Sequence, residues 1–202
     1  PGGSRACNLR YCQVSPVALQ APVPYKRKRI KAVDVCSGQQ SLAKFLLLLD
    51  PTAEILSLDI ISYRRALSEL PAHLHHRVKY VQYDVSSLTF SELQRLVREH
   101  LRCNVEDLYC IHFSPCCKSY SSADSGKNGY RLPDGTPNPS PRNADGSINY
   151  ERFAYAQLWD RIIARVLDTI TQVVSVNSSV LVSVENPTAM FRLHPSVQSL
   201  LS

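Results

Sequence analysis

Three side chains carry most of the chemistry this sequence offers: the adjacent thiols of Cys116 and Cys117, and the carboxyl of Glu185. The thiols follow Asp107-Leu-Tyr-Cys-Ile-His-Phe-Ser-Pro115, an apolar run that enters a Pro-Cys turn. Glu185 follows the apolar run Val180-Leu-Val-Ser-Val184 and opens Glu185-Asn186-Pro187. A thiol at one strand end and a carboxyl at another make a nucleophile and a proton partner. Two more acids, Asp59 and Asp84, close earlier apolar runs, and Gly38 follows the first run. An acid at a strand end beyond a glycine turn suits a nucleoside, because an ionised carboxylate accepts from both ribose hydroxyls.

These groups work together only if one sheet edge gathers them. Strands are predicted over residues 30–35, 54–60, 78–83, 108–113 and 180–184. Between them, helices are predicted over 40–49, 62–70, 91–101 and 150–174. The first is apolar enough to be buried, Ser91 is the N-cap of the third, and the last is long and amphipathic. Strand and helix alternate, and the strands are short and apolar. That pattern predicts an α/β fold, a mostly parallel sheet with helices on both faces. Reactive groups in such a fold collect at the carboxyl ends of the strands.

Residues 1–29 read as an arm with a basic extension, and 30–202 as one catalytic domain. The arm's first 24 residues hold four prolines and two glycines. The run Tyr25-Lys-Arg-Lys-Arg-Ile-Lys31 serves as an import signal, a phosphate contact or a charged lead-in to the first strand. Residues 121–149 break the rhythm with four glycines and four prolines. A loop this long beside a reactive turn reads as a lid or, in the plainer alternative, as a surface insertion.

At 44% hydrophobic residues, the 202-residue chain is expected to fold. Its net charge of +6 suits an anionic partner or a solvated basic surface. Seven cysteines without a repeated CxxC frame predict a reducing compartment and no metal site. No run approaches the roughly 18 apolar residues of a membrane span, and no signal-peptide pattern opens the chain. An intracellular location is expected, the nucleus in a eukaryote and otherwise the cytoplasm. The only methionine is Met190, so the native start is expected upstream.

Five blocks add a resemblance: Asp34-Val-Cys-Ser-Gly-Gln-Gln-Ser41, Asp59, Asp84, Ser114-Pro-Cys-Cys-Lys-Ser-Tyr-Ser121 and Glu185-Asn186-Pro187. In kind and order they resemble the cytosine-5 DNA methyltransferase family, in particular its short phage-like members, from residue 30 to about 194. The resemblance implies a Rossmann-like S-adenosylmethionine-dependent methyltransferase fold with S-adenosyl-L-methionine as cofactor. It assigns the first turn to the cofactor through Asp34, Cys36, Ser37, Gly38, Gln39 and Ser41. It adds Asp59 and Ile60 on the ribose side, Asp84 and Val85 beside the adenine, and Pro115. Aligning Tyr120-Ser121 on the family's aromatic-Ser ending makes Cys117 the nucleophile, with Cys116 as the fallback. Glu185 then holds the target cytosine, and Lys118, Ser121, Asn186 and Arg192 face the substrate.

The sequence departs from the family at Gln40 and Ser41, where glycines are usual. It departs again at Cys116, Lys118 and Pro187, which replace proline, glutamine and valine. The family's later blocks have no counterpart before Ser202, so a catalytic fragment or a minimal form is expected.

The chemistry the resemblance implies begins with thiolate addition to cytosine C6 while a protonated Glu185 donates to N3. C5 then accepts the methyl group, loses its proton, and the thiol is released. The base must leave its stack, and Lys127, Arg131 and Arg142 of the loop would meet phosphates. DNA is the expected substrate. Transfer RNA methylation by the same chemistry is one alternative, and a non-catalytic binding module is another. A third, an amino-methylating enzyme reading Ser114-Pro115, places Cys117 where an aromatic should stack.

Overall fold

The computed structural model describes residues 29–68, 70–120, 129–185 and 191–201, and the side chain of Cys117, like that of Arg192, falls outside what it describes. Ser121, Lys127 and Asn186 also lie outside the described residues. Five strands form one sheet: β1 (Lys31–Val35), β2 (Glu54–Asp59), β3 (Val78–Gln82), β4 (Cys110–Phe113) and β5 (Leu181–Val184). Their order is β3-β2-β1-β4-β5 and every pairing is parallel. The helices are α1 (Ser41–Leu49), α2 (Tyr63–Leu67), α3 (Phe90–Leu101), α4 (Tyr150–Val176) and α5 (Pro195–Leu201). This is a Rossmann-like, doubly wound arrangement.

The period of two along β1 divides the core. Val33 and Val35 face α3 and α4 with Leu56, Leu58, Ile111 and Phe113, where they meet Leu93, Val97, Ile163, Val166 and Ile170. Ala32 faces the other way with Ile55 and Cys110, beneath Ala43, Leu46 and Leu47 of α1 and Leu67 of α2. Helices therefore cover both faces. Burial of these side chains, at about 25 cal/mol per Å² of apolar surface, is what holds each layer.

Three expectations need correction. The N-cap of α3 is Thr89, not Ser91: the Thr89 hydroxyl accepts from the Glu92 N–H at 3.3 Å, and helical geometry already begins at Phe90. The helix α1 is not fully buried. Its sequence SLAKFLLLL is apolar nearly all round, but one face packs, and Phe45, Leu48 and Leu49 stay 58%, 83% and 63% exposed.

The described part of the predicted lid, 129–149, is two small hairpins rather than a loose loop. Arg131 bridges to Pro137 in the first and Arg142 to Ile148 in the second. The two share one frame eleven residues apart, Arg131-x-x-Asp134-Gly135-Thr136 and Arg142-x-x-Asp145-Gly146-Ser147. In each, the aspartate carboxylate accepts from the backbone N–H and hydroxyl two residues on, at 2.6–2.9 Å. Gly135 and Gly146 take φ of 88° and 86°, which a side chain would strain.

Candidate active site

The sheet order reverses between β1 and β4, and a crevice opens there, outside the carboxyl ends of the strands. Each ladder continues one residue past its strand. Cys36 N–H donates to Leu58 O at 2.8 Å, Ser114 N–H to Val35 O at 3.1 Å and Glu185 N–H to Phe113 O at 3.0 Å. These bonds hold Cys36, Ser114 and Glu185 at one level. The crevice is a cavity of 790 Å³, within the range of small-molecule sites.

Of the residues read from the sequence, Cys36, Gly38, Asp59, Ile60, Asp84, Val85, Pro115 and Glu185 line this cavity, and so does Cys116. Asp59 is fixed by backbone donors. Gly38 N–H reaches one carboxylate oxygen at 2.8 Å and Ile61 N–H the other at 3.1 Å. Each oxygen keeps a second lone pair for a ligand hydroxyl. Asp84 accepts from Ser86 N–H at 2.9 Å, and hydrogen bonds from Ser86 hold its carboxyl below the usual range. Glu185 is oriented by the Ser114 hydroxyl, which donates to it at 2.9 Å. Burial first, then the charges of Asp59 and Asp34, push the Cys36 thiol up, so it stays protonated.

Four assignments in the first turn do not reach the cavity. Asp34 lies inside the sheet, 1% exposed, in register with Ser57 and His112. Ser37 is buried, and its hydroxyl accepts from the Gln40 amide at 2.9 Å. Gln39 and Ser41 are exposed, the latter as the first residue of α1. The departure at Gln40 has a physical account. It holds a left-handed φ of 62°, the conformation a glycine adopts freely. Its fully buried amide offsets the strain by donating to Ser37 and accepting from the Ser57 hydroxyl at 2.7 Å.

One wall escaped the sequence reading. Tyr155, Leu158, Trp159 and Ile162 of α4 close the cavity. Their spacing of i, i+3, i+4, i+7 is the one signal that marks a helical face. Tyr155 hydroxyl lies 3.1 Å from the Cys116 sulfur, and burial, then this contact, raises the phenol's pKa. The Lys118 ammonium sits 5.7 Å from the ring centres of both Tyr130 and Tyr155.

Behind the Pro-Cys turn, Asp160 of α4 is a hub. One of its oxygens accepts from the Tyr120 hydroxyl at 2.6 Å and from Arg131 at 2.7 Å, with His194 at 3.7 Å. Arg131 is 2% exposed and lies 3.8 Å from the Tyr120 ring centre. It also donates to Gly135 O and Ala156 O. The expectation that Arg131 meets phosphate is therefore overturned: its guanidinium is buried and committed to Asp160. Tyr120 ends the one-turn helix Cys117–Tyr120, so the hub fixes the turn that carries the thiols.

Burial, then the charge of Asp59, pushes the Asp34 carboxyl from 3.8 up to about 8, and one of its oxygens has no hydrogen-bond partner among the described residues. The folded chain thus keeps a proton that the unfolded chain has released. Its stabilising effect is complete below pH 3.8 and is lost as pH rises to about 8. Within that window the contribution falls by roughly 1.4 kcal/mol per pH unit. Urea melts at pH 5 and pH 8 should show Asp34→Asn losing less stability over the interval than the unaltered chain. Equal losses would remove Asp34 as the cause.

No family model and no curated protein matches the chain. Among solved structures, it is similar to an O-methyltransferase family protein from Burkholderia thailandensis, at 10% identity and TM-score 0.36, covering 69% of this chain and 29% of that one. It is also similar to the KRED1-Pglu enzyme, at 13% identity and TM-score 0.45, covering 85% and 65%. A third is human N-acetylserotonin methyltransferase in complex with SAM, at 12% identity and TM-score 0.38, covering 84% and 41%. The chain spans less than two thirds of each of these. Among the described residues, no helix is long and apolar enough to cross a membrane.

Proposed function

We propose that the cavity binds S-adenosyl-L-methionine and that the chain methylates C5 of cytosine in DNA through a covalent bond from Cys117 to C6. The observation that carries this reading is the 790 Å³ cavity at the switch point, lined by two acids, a Pro-Cys turn and Glu185 together. The residues fit the cofactor. Asp59 has lone pairs for two ribose hydroxyls, Asp84 is an ionised acceptor for an amino group, and Val85 and Ile60 offer apolar contact to a ring. When bound, the cofactor supplies an electrophilic methyl group.

Everything else falls to the chain's own residues. Tyr155 and Trp159 give an extracted base an aromatic wall. Glu185, held by Ser114, is the proton partner at N3. The thiolate of Cys117 adds to C6 as Glu185 gives a proton to N3, and C5 takes the methyl group. Once a water has taken the C5 proton the C6–S bond breaks, the thiolate leaving and N3 returning its proton to Glu185. Cys116 supports a second reading of the nucleophile, because it lines the cavity. Its described partner is the Tyr155 hydroxyl at 3.1 Å, and either group can donate in that contact. The Tyr120-Ser121 register is what assigns the attack to Cys117, with Cys116 as the alternative.

The cofactor half of the reading has its own test. Losing a charge-assisted hydrogen bond to a buried ligand costs about 1.5–3 kcal/mol, ten- to a hundredfold in affinity. Calorimetric titration of Asp59→Ala with S-adenosyl-L-methionine should record that loss, and unchanged affinity would take Asp59 out of the site.

A further inference from the structure

The two hairpins of 129–149 are one design used twice, and among the described residues only one copy is docked. Their backbone bonds repeat pair for pair: Leu132 N–H to Thr136 O matches Asn143 N–H to Ser147 O, both at 2.9 Å. Arg131 donates to Gly135 O and Arg142 to Gly146 O, also both at 2.9 Å. The first hairpin is pressed against the body of the fold. A Cβ on Gly135 would stand 2.9 Å from the Cβ of Leu193, whereas one on Gly146 would meet nothing within 4 Å.

The docked copy shows what its arginine grips, an anionic oxygen of Asp160 at 2.7 Å. In the second copy residues 142–147 are all exposed, and Arg142 is steadied by its own hairpin. The nearby acid, Asp145, turns its carboxylate back onto Ser147. An exposed aromatic follows two residues after Ile148, the residue to which Arg142 bridges. Tyr150, 69% exposed, follows Asn149, whose N–H donates to Pro141 O and closes the hairpin's base. Five residues further along α4, Tyr155 lines the cavity. An exposed guanidinium and an exposed aromatic ring at the base of one hairpin can engage a phosphate and a base face.

We propose that the second hairpin is a nucleic-acid contact in which Arg142 takes a backbone phosphate and Tyr150 stacks on an unpaired base next to the target. The inference rests on the reading that the cavity acts on nucleic acid. Each phosphate neutralised on a duplex contributes about 0.9 to the slope of log affinity against log salt. Anisotropy titrations use a fluorescein-labelled duplex with two adjacent unpaired bases, one of them a cytosine, at three salt concentrations. Arg142→Gln should bind with a slope shallower by about 0.9, while Arg142→Lys should keep the slope. Tyr150→Ala should bind about tenfold more weakly at an unchanged slope. Because this hairpin is exposed, all three variants should melt with the unaltered chain, which separates lost contact from lost fold. If the unaltered chain binds and Arg142→Gln keeps its slope, or Tyr150→Ala keeps its affinity, the contact is overturned while the proposed activity stands. If the unaltered chain does not bind the duplex, both fall.

Discussion

Cys117→Ser should form no denaturant-stable adduct with DNA containing 5-fluorocytosine, while Cys116→Ser should still form one. Fluorine at C5 cannot leave as a proton does, so a thiol bonded to C6 stays bonded. Labelled S-adenosyl-L-methionine in the same incubation marks the trapped species, which a denaturing gel then resolves. Removing the nucleophile of a covalent mechanism costs on the order of 10³-fold or more in turnover, so the adduct should vanish rather than fade. Loss of the adduct in Cys116→Ser and its retention in Cys117→Ser would shift the attack by one residue. That outcome would agree with the cavity-lining position of Cys116. Retention in both variants would show that neither thiol alone is needed for the covalent bond, whereas no adduct with the unaltered chain would leave a binding module and no enzyme.

The second large effect is one of stability. Asp160→Ala takes from the buried Arg131 the carboxylate it pairs with, and takes from Tyr120 its acceptor. Breaking one side of a buried ion pair costs about 3–5 kcal/mol. The Asp160 side chain is 27% exposed, which argues for the lower end, about 3 kcal/mol. For a chain of this size that is a fall of about 6–12 °C in melting temperature. Scanning calorimetry should record it. Arg131→Met with Asp160→Leu should recover most of the loss, because neither charge then remains to be solvated. If Asp160→Ala melts within a degree or two of the unaltered chain, the hub does not hold the fold.

The sheet was legible because each strand is a short run of apolar and β-branched residues. Strands buried on both faces have that form whatever surrounds them. Asp59, Asp84 and Glu185 were legible because an acid ending such a run is out of place in a core. The α4 wall was not, since Tyr155, Leu158, Trp159 and Ile162 are spaced as any core-facing stripe would be. Only tertiary placement shows that this stripe faces a cavity while Ile163, Val166 and Ile170 face the sheet. The 129–149 segment misled through its composition. Glycine, proline and aspartate mark turns, but whether a turn is loose or pinned depends on partners far along the chain. Asp160 is twenty-nine residues from Arg131 and forty from Tyr120.

Gln40 changes what the first turn costs to use. A turn with glycine at each left-handed position wanders in the free protein and must be stilled when a ligand arrives. Here Cys36, Gly38 and Gln40 hold φ of 59°, 47° and 62°. The Gln40 amide, clamped between two serine hydroxyls, and the Asp59 carboxylate on Gly38 N–H do the stilling in advance. The ordering entropy of this turn is then charged to folding rather than to binding. A ligand meeting Asp59 finds its receptor already rigid, so more of its contact energy appears as affinity.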